Sequence, residues 1–99
     1  MTYSIHWTDL ATSELNENIG FIAENGFSGY ARKLRGKIDK SISYLVDNPR
    51  MYRESYYMRG CRDIVVDNYL VIYRVEDDSR EVHILRVFHG ARDIAALLL

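Results

Sequence analysis

Cysteine and proline are almost missing from this chain: there is one of each, Cys61 and Pro49. A lone cysteine cannot close an internal disulfide, and no Cys/His grouping has the spacing of a zinc site, so neither a disulfide framework nor a metal centre is expected. Cys61, beside an expected strand, reads as a small core residue. Long apolar runs are also lacking, and the opening Met1-Thr2-Tyr3-Ser4-Ile5-His6 has neither the basic start nor the apolar stretch of a signal peptide. No membrane partner, no cofactor and a cytoplasmic address are therefore expected. At 99 residues and 47% hydrophobic content there is material for one modest core, so residues 1-99 are read as a single domain.

The first third lacks positive charge. Residues 1-31 carry Asp9, Glu14, Glu17 and Glu24 with no Lys or Arg, whereas residues 32-62 carry nine bases against three acids, a local +6. The remainder is net -3, so a chain of formal charge -1 is dipolar along its length. A basic face able to meet an acidic partner or nucleic acid is one reading. The other is a solvated helix face balanced by the acidic first helix.

Tyr3-Ser4-Ile5-His6-Trp7 alternates as a half-buried strand does. Thr8 or Asp9 then offers an N-cap, and Leu15, Ile19 and Ile22 follow at helical spacing up to Asn25-Gly26. Ser28 is expected to cap a second helix with Ala31, Leu34, Ile38, Ile42 and Leu45 on one stripe, ended by Pro49. Two helices on so short a loop form a hairpin whose stripes turn toward a sheet. Residues 60-66, 69-76 and 81-89 read as three strands joined at Asp67-Asn68 and at Asp77-Asp78-Ser79-Arg80. The fold class is therefore α+β, in the order β-α-α-β-β-β, with an antiparallel sheet packed against a helical hairpin.

The strand ending Arg86-Val87-Phe88 runs abruptly into the polar turn His89-Gly90-Ala91-Arg92-Asp93. Taken with Trp7, Ala11 and Leu15, with Leu45-Val46-Asp47-Asn48-Pro49 and with Tyr69-Leu70-Val71-Ile72-Tyr73-Arg74-Val75, this segment resembles the ParE branch of the RelE/ParE superfamily of toxin-antitoxin toxins. The resemblance covers nearly the whole chain and implies the same element order. It also implies a type II toxin associated with growth arrest and plasmid stabilisation and neutralised by a cognate antitoxin that wraps it with a helix or an added strand. ParE-like members inhibit DNA gyrase without catalytic chemistry of their own. RelE-like members cleave mRNA on the ribosome.

RNA cleavage by a 2′-hydroxyl needs a base, cations for the phosphate and an acid for the leaving oxygen. RelE-like toxins supply these with Lys, Arg and Tyr, yet the segment after Gly90 holds neither Lys nor Tyr. No catalytic residue is therefore expected, and the target-binding residues implied are Arg86, His89, Arg92 and Asp93. A nuclease, the alternative, would draw on Arg59, Arg62, Arg74, His83 and His89. Strand parity puts His83 and His89 on one side of the last strand, and Arg86 on the other with Val82, Ile84 and Phe88. Either histidine has a plainer use, His89 in the turn and His83 on a solvated face. Arg59, Arg62 and Arg74 could likewise pair with Asp63, Asp67 or Glu76.

Tyr52, Tyr56 and Tyr57, interleaved with Arg50 and Arg53, fit base stacking or a protein interface, and chain size favours the interface. Tyr69 and Tyr73 read as core. The apolar tail 94-99 must be covered, by the protein's own sheet or helices, an antitoxin, a second copy or the target. A homodimer, a toxin-antitoxin hetero-oligomer, and a non-toxic interaction module of the same fold all stay open.

Overall fold

The computed structural model describes residues 2–93; the apolar tail 94–99 lies outside the described residues. Strand β1 (Ser4–Trp7) leads into helix α1 (Asp9–Glu24), whose N-cap is Thr8: its Oγ1 accepts the Ala11 N–H at 3.1 Å. Asn25 closes this helix, and Gly26, at φ 90°, turns the chain, a conformation glycine adopts without a Cβ penalty. Helix α2 spans Ser28–Ser43. Its cap position is Phe27, with no side-chain hydrogen bond, so Ser28 is the first helical residue rather than the cap. A 3-10 turn, Tyr44–Val46, ends the helical run before Pro49 is reached.

Four more strands follow: β2 (Arg53–Glu54), β3 (Arg62–Val66), β4 (Tyr69–Glu76) and β5 (Glu81–His89). The sheet order is β1-β5-β4-β3-β2. The antiparallel ladder β3 to β5 matches the expectation; β2 adds an unexpected antiparallel strand beside β3, and β1 joins parallel to β5, with His6 opposite His83. Hairpin chemistry marks which consecutive strands pair; the docking of β1, which returns only after the two helices, has no local turn signal. Strand β2 is two residues long, too short to show alternation.

The stripes Ala11–Leu15 and Leu34–Ile38–Ile42 pack on Ile64, Tyr69, Val71, Tyr73, Val82, Ile84 and Val87 to form the main core. Leu34 and Ile38 are fully buried, each contributing about 1.5–3 kcal/mol of transfer free energy. A smaller cluster, Cys61, Leu70, Ile72 and Phe88, lies on the helix-free face with Tyr57, Met58 and Leu85. Pairing of β4 with β5 slips between Ile72, opposite Arg86, and Tyr73, opposite Ile84, so Leu85 is an extra residue in a bulge.

Candidate functional site

The bulge overturns the parity expected along β5. Val82, Ile84 and Val87 face the helices. Arg86 and Phe88, opposite Ile72 and Leu70, share the helix-free face with His83, which stands opposite Arg74. His89, past the bulge, faces the helix side and meets the Tyr69 ring edge-on at 5.2 Å. The two histidines therefore lie on opposite faces.

The closing segment is a joint. Beyond Trp7 the outer edge of β5 has no strand beside it among the described residues, and side chains take the strand's place. Thr8 Oγ1 donates to the Ile84 carbonyl at 3.0 Å, Glu14 Oε1 accepts the Val87 N–H at 3.0 Å, and Asp93 Oδ2 accepts the His89 N–H at 3.0 Å. Glu14 also takes a two-pronged ion pair from Arg86, with contacts of 2.8–3.1 Å. The hydrogen bonds from Arg86 to Glu14 raise the guanidinium pKa further, so the arginine stays charged.

Residues 90–93 are helical, and His89 caps them: its Nδ1 accepts the Arg92 N–H at 3.1 Å, which places the hydrogen of a neutral ring on Nε2. With Asp93 reaching back to the His89 N–H, the caps are reciprocal. Arg92 pairs with Asp93 and reaches Asn18 of α1 at 2.7 Å. The Arg92 hydrogen bond holds the Asp93 carboxyl below the usual aspartate range. Arg86, His89, Arg92 and Asp93 are thus gathered in one place, with Arg92 half exposed. Glu14 and Asn18 complete the joint and were missed in the sequence; the signal was there, since Glu14 stands three residues after buried Ala11, on the edge of the stripe.

The nuclease candidates are divided: Arg59 and Arg62 line one cleft, Arg74 stands opposite His83, and His89 lies on the other face. Arg74 pairs with Glu76 at 2.6 Å, as the sequence allowed. Arg62 donates to the carbonyls of Tyr52 and Arg50 at 2.7 and 3.3 Å, bracing the connection into the sheet. Asp63 is instead the partner of Arg53, and Asp67 that of Lys37 and Tyr30. His83 stacks on His6 at 5.4 Å, and both rings reach Glu81 at 3.2 Å. Sequence reading passed over His6 and Glu81, because only the parallel docking of β1 brings His6 there. Burial pushes the Cys61 thiol pKa up, which fits a core residue rather than a nucleophile. Tyr73, pushed to about 12 by burial, donates to the Pro49 carbonyl at 2.7 Å and is likewise structural. Among the described residues no His/Cys/Asp/Glu group could hold a metal ion, and no helix is long and apolar enough to cross a membrane.

The basic segment finds its partners mostly in the C-terminal third. Arg50 pairs with Asp77, Arg53 with Asp63 and Lys37 with Asp67, whereas Arg35 reaches only Asn16 on acidic α1. Arg50, Arg59 and Arg62 line a cleft of about 310 Å³ with Glu54, Ser55 and Gly60.

The geometry agrees with solved toxins. The Pseudomonas aeruginosa structure titled as a chromosomal ParDE toxin-antitoxin system superposes with a TM-score of 0.72 at 23% identity, covering 88% of this chain and 95% of that one. A mutant of the Escherichia coli toxin RelE in the free state gives 0.66 at 19% identity, covering 99% and 95%. The RelBE2 toxin-antitoxin complex of Mycobacterium tuberculosis gives 0.60 at 19%, covering 90% and 99%. These likenesses establish the fold. Compared by sequence with curated proteins, the chain matches none. The family model described as the ParE toxin of the type II toxin-antitoxin system parDE matches residues 5–94, and the chain belongs to that family.

Proposed function

We propose that this chain is a growth-arresting toxin that binds and inhibits DNA gyrase, held inactive by a cognate antitoxin in the cytoplasm. The observation that carries this reading is the separation of the two histidines: His83 and His89 lie on opposite faces, while Arg74 is committed to Glu76. A base and an acid acting on one substrate need convergence, and the two histidines do not converge. The β5 joint, with Arg92 half exposed, is the surface offered to the target. Residues 1–99 act as one toxin domain.

Antitoxin-free protein is expected to block gyrase supercoiling while leaving ribosome-bound mRNA intact. Normal supercoiling together with codon-phased mRNA cuts would establish the alternative, a RelE-like interferase. Arg92→Ala is expected to lose growth arrest while antitoxin binding persists. Equal loss of both would mark a folding defect and remove the target-binding role from the joint.

A further inference from the structure

We infer that the cleft between the β2 connection and the loop 55–61 is a phosphate site for a nucleic-acid strand. Arg50 comes from the connection, Arg59 from the loop and Arg62 from β3; among the described residues the wall holds one acid, Glu54, and Asp77 pairs with Arg50, leaving an excess of one positive charge. Two of the guanidiniums are fixed: Arg62 by the Tyr52 and Arg50 carbonyls, and Arg50 by Asp77, through one Nη of each. Each fork carries five N–H donors, so both keep donors for a ligand. Arg59 is exposed and makes no hydrogen bond or ion pair among the described residues.

Asp77 answers Arg50 and Glu54 answers one further arginine, so the cleft keeps a net positive charge whose repulsion an anionic ligand relieves. A carboxylate matches a single planar fork, whereas forks from three separate chain segments suit the tetrahedral oxygens of a phosphate. Next to Ser55 of the cleft, the Tyr56 ring is 74% exposed and lies beneath the Arg53 guanidinium at 4.3 Å, an arrangement on which a base can stack. Phosphate in the cleft and base on Tyr56 together describe a single strand. The proposal goes beyond gyrase inhibition and does not depend on it, since the cleft lies apart from the β5 joint and its test needs no gyrase.

The test is fluorescence anisotropy of a labelled single-stranded DNA 12-mer with antitoxin-free protein, against Arg59→Ala and against Lys33→Ala, an exposed cation of α2 outside the cleft. Arg59→Ala is expected to weaken binding about tenfold and to lower the slope of log K against log salt by about 0.7, one phosphate contact on a single strand. Lys33→Ala is expected to leave both unchanged. Equal effects of the two variants mean diffuse attraction and overturn the proposal, as does no binding at low salt. Competition by inorganic phosphate as strong as that by unlabelled oligonucleotide would make a free anion the ligand and overturn the assignment to a strand. Because Arg59 is exposed and unpartnered, its variant is expected to keep the wild-type thermal midpoint, which separates a binding loss from unfolding.

Discussion

A single carboxylate does three tasks in this protein. Glu14 neutralises Arg86, satisfies the Val87 N–H and ties α1 to β5, with 16% of its side chain exposed. Glu14→Ala removes an acceptor from a half-buried arginine and a strand N–H together, and is expected to cost about 2–3 kcal/mol in urea unfolding. Glu14→Gln keeps an acceptor and should cost less; equal losses would mean that the charge alone matters. Tyr73→Phe strands the Pro49 carbonyl and is expected to cost about 1–2 kcal/mol. At this scale the sequence was legible where the chemistry is local. Thr8 as cap, Cys61 as core and Arg74 with Glu76 could be read from neighbours in the chain. Glu14 with Arg86 could not, because 72 positions separate them.

Among the elements, helices and hairpins were readable because periodicity and turn residues act over a few positions. The bulge at Leu85 was not: a β-bulge leaves composition and alternation almost untouched while moving every later side chain to the other face. One inserted residue therefore decided that His83 and His89 do not meet. The outer edge of β5 carries a further expectation. Edge N–H groups are templates for pairing with another chain, and here carboxylates occupy two of them. The double variant Glu14→Ala, Asp93→Ala should expose this edge and self-associate, seen as a rise in light scattering at concentrations where the parent is unchanged. A variant that scatters like the parent would show that the carboxylates do not guard the edge.

For the molecule as a whole, charge segregation along the chain became pairing between distant thirds. Asp67, Asp77 and Asp93 are each held below the ordinary aspartate range, first of all by hydrogen bonds from Lys37, Arg50 and Arg92, and Glu81 is lowered first by Ser79. A carboxyl whose folded pKa lies below its unfolded one adds stability above the unfolded value and loses it as pH falls through the folded one. Thermal midpoints should thus be flat from about pH 7 to 5 and drop below about pH 4, where these groups protonate. Asp93→Asn should shallow that acid limb, and an unchanged limb would remove Asp93 from the account.

Strand β5, the last among the described residues, lies between β1 and β4, and among those residues β1 pairs with no other strand. The order of synthesis thereby becomes a safeguard. A nascent chain halted before residue 81 carries a first strand with nowhere to dock and helices without Val82, Ile84 and Val87 to cover. It therefore cannot assemble the joint that Glu14 makes with Arg86 and Val87. The five-stranded sheet can therefore close only after β5 has been made.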